Sequence, residues 1–207
     1  MFSLFRPTAA AISKLHERLR STSLTYPSSY APSNDRGAIL DRSSVYVPAP
    51  PGFLTDHSEC ELGHGVDVFE AACRALRAWR MFPPQMANLE PASVPIEVGQ
   101  IVSVMFRAGP LWTANSARIL RVFQETNATS RFGFTYGTLP GHIARGEETF
   151  LVEHDKASDR VTYSVHAFSR PSHWIAWVGY PYLRFQQARF RRLSGESMKA
   201  SVRPTSN

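Results

Sequence analysis

Between Val98 and Ser169 apolar residues recur at alternate positions in five successive runs joined by short turns, and this repeat sets the architecture. In Val98 to Arg107, Val98, Val102, Val104 and Phe106 share one face, and Ile101, Ser103 and Met105 share the other. Ala117 to Thr126 follows, then Arg131 to Thr138 with Phe132, Phe134 and Tyr136 alternating, then Glu147 to His154. A polar turn over Asp155 to Asp159 leads into Arg160 to Ser169, where Val161, Tyr163, Val165 and Ala167 oppose Thr162, Ser164 and His166. Successive side chains of a strand point to opposite faces, so this period predicts a sheet with one buried and one wetter face. Consecutive strands on short turns predict an antiparallel meander.

Helical spacing flanks the runs. Ile12, Leu15, His16 and Leu19 predict a short amphipathic helix over Thr8 to Ser21. A Ser-, Pro- and Tyr-rich stretch from Thr22 to about Asp35, and the proline-rich Pro48 to Gly52, resist regular structure and predict an arm wrapped over the domain. Asp56 to Leu62 reads as a strand broken by Gly63 and Gly65, and Asp67 with Glu70 as a capping box. The next helix carries Phe69, Ala72, Cys73, Leu76 and Trp79 on one face and stops near Phe82-Pro83-Pro84. A last helix is predicted to start at Pro171, kink at Pro181 and run to about Met198, with Ile175, Val178, Tyr182 and Phe185 as its stripe. The expected class is α+β: a curved antiparallel sheet packed on a long C-terminal helix, each hiding an apolar face on the other. Residues 1–50 are expected to form the N-terminal helix and arm, 51–200 the single domain, and 201–207 a disordered tail.

Composition excludes several classes. A chain of 207 residues with 43% hydrophobic and 19% charged residues has one substantial core and is not a disordered protein. No apolar run approaches the ~20 residues that span a bilayer, and the N-terminus lacks the sustained apolar region of a secretory signal, so a cytoplasmic protein is expected. Cys60 and Cys73 are read as free thiols, and no metal-ligand spacing is present. Of the net charge of +6, Tyr182 to Asn207 supplies +5, from six basic residues against one acid, Glu196. That segment could meet anionic surfaces, though a solvated helix face is the more ordinary explanation, and no specific nucleic acid is predicted.

Four stretches carry a family resemblance. The most distinctive is FTYGTLPGHIARGEETFLVE, Phe134 to Glu153; the others are LTYPSSY (Leu24 to Tyr30), the ELGHG…FEAACRALRAW run (Glu61 to Trp79) and FSRPSHWIAWVGYPYLRFQQARF (Phe168 to Phe190). Together they resemble uncharacterised protein family 0548 (UPF0548), found in bacteria and plants, over most of residues 12–200. The sequence departs from the family around Tyr26 to Tyr30, where a glycine is usual, and Asn34 to Val47 reads as an insertion. The resemblance implies no activity. It does imply a helix-grip arrangement, like that of proteins holding lipids, sterols and other apolar ligands between sheet and helix, an analogy of fold only.

The candidate ligand-binding residues are Tyr136, Thr138, His142, Glu147, Glu148, Ser169 and Arg170. Gly137 and Gly141 beside Tyr136 and His142 would let backbone approach a ligand, or simply serve a tight turn at Pro140. Glu147 and Glu148 point to opposite faces of a strand, so they cannot act as a pair; one could be buried against Arg170 or Arg145. Ser169 and Arg170, placed at the start of the last helix, could cap it or hold an anion there. His57 and His64 read as surface or capping residues. No nucleophile elbow, zinc-protease, phosphate-loop or dinucleotide motif is present, and no cofactor is expected. Three functions follow as expectations. The first is binding of a small apolar or amphipathic ligand in a cavity between sheet and helix. The second is an enzyme gathering Tyr136, His142, Glu147 and Arg170 around one pocket. The third is docking on anionic surfaces through the basic C-terminal helix.

Overall fold

The computed structural model describes residues 2–27, 45–46, 48–108, 111–172 and 180–203. Its elements are β1 (Phe2–Ser3), α1 (Ala9–Leu19), β2 (Leu54–His64), α2 (Val66–Arg77), β3 (Ala87–Glu90), β4 (Ile101–Ala108), β5 (Leu111–Thr126), β6 (Thr129–Thr138), β7 (Ala144–Asp155), β8 (Arg160–Pro171) and α3 (Tyr180–Val202). Seven strands run β2-β8-β7-β6-β5-β4-β3, and β1 pairs with β5 beside them. Every pairing is antiparallel, and β4 to β8 form the predicted meander. β1 and β3, at two and four residues, are too short to show a period and were not expected.

The concave face carries the main core. Phe132, Phe134 and Tyr136 of β6, Phe150 and Val152 of β7, and Val161, Tyr163 and Val165 of β8 pack against Ala72, Cys73 and Leu76 of α2 and Phe190 and Met198 of α3. Each large apolar side chain buried this way contributes roughly 1.5–3 kcal/mol. Trp79 lies edge-on to Phe134 at 5.0 Å and donates its indole N–H to the Val94 carbonyl at 2.8 Å. Cys60 and Cys73 are free thiols.

Local expectations fail where tertiary packing supplies what the sequence motif would have. The Asp67–Glu70 capping box does not form: α2 starts from Gly65 without a side-chain cap, and Glu70 pairs with Arg74. Gly63 does not end β2; it sits at a bulge that carries the strand on to His64. The last helix does not start at Pro171, which pairs with Ala144 as the end of β8. Ile175 and Val178 lie outside the described residues, whereas Tyr182 and Phe185 are 54% and 63% exposed and form no buried stripe. The buried face of α3 is Phe190, Ser194, Gly195 and Met198. A Cβ on Gly195 would stand 3.2 Å from the Cys60 sulfur, so glycine lets the helix approach β2 closely.

The convex face is not the wetter face that alternation predicts. Ser103, Ser116, Thr135, Thr149, Thr162 and Ser164 are all buried there. Four of them are satisfied in pairs, Ser103 with Ser116 and Thr135 with Thr149, each at 2.8 Å. The N-terminal region covers them. Ile12 packs on Met105 and Ala114, and Leu19 on Ile101 and Leu139. Val45 packs on Phe123 and Leu151, and Tyr46 shares a hydrogen bond with Ser164 at 2.9 Å. Arg118 donates to the carbonyls of Leu19 at 2.7 Å and Thr22 at 3.1 Å, satisfying acceptors at the C-terminal end of α1.

Candidate functional site

A hollow of about 430 Å³ lies between the concave face and the first half of α3. Its walls include Phe82, Met86, Val104, Phe106, Ala117 and Phe190, with Tyr136, Thr138, His142, Glu148 and Ser169 among the polar groups. One ion cluster fixes the helix at this distance from the sheet. Asp56, near the start of β2, accepts two hydrogen bonds from Arg184, at 2.5 and 2.7 Å, and pairs with Arg191 at 3.1 Å. A fork-to-fork pair of this kind sets orientation as well as distance. Gln187 extends the cluster, accepting from Arg184 at 3.1 Å and donating to Ser169 at 3.3 Å.

Tyr136 and Glu148 are directly opposed across β6 and β7, so both side chains leave the same face. The Tyr136 hydroxyl donates to Glu148 Oε2 at 2.5 Å. Burial pushes the Glu148 carboxyl up to about 7; the Tyr136 hydrogen bond and the Arg191 charge pull the other way, and Asp56 adds to the rise. Burial also lifts the Tyr136 and Tyr163 hydroxyls well above their ordinary range. His142 takes the Ala144 N–H on Nδ1 at 3.0 Å, and burial drives its imidazolium down to about 4. It therefore stands neutral at physiological pH. Thr138 Oγ1 accepts from the Gly146 N–H at 3.0 Å.

Glu147 faces the other way, as adjacency requires. The Tyr26 hydroxyl of the N-terminal arm donates to its Oε1 at 2.5 Å. Burial raises this carboxyl to about 7 as well, against Tyr26 and Arg121. Gly137 makes the contact possible, because a Cβ there would collide with the Tyr26 hydroxyl. Its lack of a side chain serves the arm and not a ligand. Gly141, at φ 89°, serves the turn.

Several expected partnerships are absent. Arg170 lies in β8, not at a helix N-terminus, and stacks over the Phe53 ring at 4.7 Å. Ser169 is likewise in β8 and caps no helix. Arg145 donates to the Ser172 carbonyl at 3.1 Å, so neither it nor Arg170 pairs with Glu147 or Glu148. The four groups proposed for an enzyme do not converge: the Tyr136 and His142 rings serve the hollow, while the Glu147 carboxyl and Arg170 guanidinium engage Tyr26 and Phe53. The Asp56–Arg184–Arg191 cluster went unseen. Its signal was present, in an acid on the inward-facing side of a strand and two arginines two helical turns apart. Among the described residues no His, Cys, Asp and Glu side chains group in threes to hold a metal.

A family model described as a domain of unknown function (DUF1990) matches residues 41–197. A UPF0548 protein of Dictyostelium discoideum is 33% identical over 151 residues, covering 69% of this chain and 70% of its own. One from Deinococcus radiodurans is 31% identical over 196 residues, covering 90% and 88%. Among solved structures, a hypothetical protein from Helicobacter pylori superposes with a TM-score of 0.50 at 13% identity, over 83% of this chain and 99% of that one. That likeness concerns the fold alone.

Proposed function

The chain belongs to the DUF1990 family of unknown function, alongside the UPF0548 proteins, and from that premise, which supplies no activity, we propose that it binds a small apolar or amphipathic molecule in the hollow between the sheet and α3. The observation that carries the reading is the hollow itself. Protein interiors are packed to crystal density, with few voids larger than a water molecule. A space of about 430 Å³ is within the range of small-molecule sites, roughly 300–1,000 Å³. Apolar walls with a few polar groups among them are the usual composition of such sites. Tyr136, Thr138, His142, Glu148 and Ser169 are the proposed polar contacts, and Phe82, Met86 and Phe190 the apolar ones. The anionic-surface reading is the weaker one, because Arg184 and Arg191 are held by Asp56 and Arg192 pairs with Glu196, which leaves Arg189 alone of the four arginines from 184 to 192 without an acidic partner among the described residues. Among the described residues no helix is long and apolar enough to cross a membrane.

Native mass spectrometry of the purified full chain, followed by titration with the fluorescent probe anilinonaphthalene sulfonate, tests the proposal. A co-purified small molecule, or saturable probe binding at one site per chain, is expected. A bare chain that binds no probe overturns it.

A further inference from the structure

The hollow contains a carboxylate to which no cation is hydrogen-bonded. Glu148 Oε2 takes the Tyr136 hydroxyl, and among the described residues none donates a hydrogen bond to Oε1. The groups whose charge or hydroxyl acts on it are already engaged. Arg184 and Arg191, on the helix that roofs the hollow, are both held by Asp56. The Tyr163 hydroxyl shares a hydrogen bond with Ser194 at 2.7 Å, and His142 accepts from Ala144. Buried carboxylates in proteins are paired with a cation or fully hydrogen-bonded, because an isolated charge in an apolar surround is costly.

Resting on the binding reading above, we propose that Glu148 receives a ligand ammonium: the hollow takes a small apolar amine whose –NH3+ donates to Glu148 Oε1 while its tail lies against Phe82, Met86 and Phe190. A single ammonium supplies both the missing donor and the missing charge, which a hydroxyl supplies only in part. At Glu148 itself a ligand carboxylate would instead meet that group and Asp56 as like charges, and its counter-charges would be Arg107, Arg145 and Arg189 elsewhere on the wall. Without ligand, burial leaves the Glu148 carboxyl near 7, so entry of the amine expels a proton from Glu148 to solvent. The other groups that act on it are Tyr136 from β6, Tyr163 from β8, Asp56 from β2 and Arg191 from α3. His142 is neutral above about 4. Glu147 changes charge in the same pH range, but on the opposite face, under Tyr26.

The test is isothermal titration calorimetry on the full chain with three probes of one shape: 4-phenylbutylamine, 4-phenylbutan-1-ol and 4-phenylbutyric acid, at about pH 6 and pH 8. The amine should bind tighter than the alcohol by on the order of tenfold at pH 8, with the acid weakest. Amine affinity should rise from pH 6 to pH 8 while alcohol affinity stays level, and Glu148→Gln should abolish the amine preference, leaving amine and alcohol with equal affinity. Equal binding of all three probes, or a preference for the acid, overturns the ammonium assignment and leaves the cavity reading standing. Failure of all three to bind, with no co-purified molecule, overturns both. The wild-type ranking decides the matter even where Glu148→Gln does not fold.

Discussion

Glu147 shows how one residue can tax a fold and order it at once. Its carboxyl is 5% exposed and lies in the interface between sheet and arm, where burial raises it to about 7. An unfolded chain releases that proton near 4.5. Between those values the folded state holds a proton that the unfolded state has lost, so stability falls as pH rises from about 4.5 to about 7. Converting the shift gives at most roughly 3 kcal/mol. His142 works in the opposite sense: its imidazolium is driven from 6.5 to about 4, so its contribution is lost as pH falls through that window. The two overlap, and the difference between wild type and Glu147→Gln isolates the first. Urea unfolding should show the stability of wild type falling relative to Glu147→Gln between about pH 5 and 7.5; parallel curves would refute the assignment. The opposed faces of Glu147 and Glu148 were legible from adjacency in a strand. The Tyr26 partner was not, because it lies 121 positions away and no local period connects them.

At the scale of elements, the five central strands were legible because alternation is a local property that survives any tertiary arrangement. The face of α3 was not. Its exposed Tyr182 and Phe185 look like a core stripe, while its actual buried face includes Ser194 and Gly195, which no hydropathy pattern marks. What seats the helix is also polar. Asp56 is 9% exposed and holds Arg184 and Arg191 together, so removing its charge leaves two guanidiniums on a face they cannot leave. Asp56→Asn should therefore cost roughly 3 kcal/mol, in line with breaking other buried ion pairs. The denaturant midpoint measures this, and a shift under about 0.5 kcal/mol would mean that α3 is held by apolar contacts alone.

At the scale of the molecule, the sheet-on-helix architecture could be read in advance, and the cavity between sheet and helix was expected only from the likeness of fold, since no residue pattern marks it. A cavity is the volume left between side chains, and it depends on where an ion cluster fixes α3 over a bent sheet. Ala167 offers a way to close it, since its cross-strand partners are Glu148 and Asp56 and it lines the space. Ala167→Phe should weaken probe or ligand binding at least tenfold while changing stability by about 1 kcal/mol, because the new ring enters empty volume. Undiminished binding would place the ligand elsewhere. The pairing of β2 with β8 has a consequence for biosynthesis. His57 meets His166, and Asp56 finds its arginines only in α3, so the edge made early must wait until β8 and α3 have emerged. High contact order of this kind slows folding, and a nascent chain stalled after β7 presents β2 as an unpartnered edge open to association.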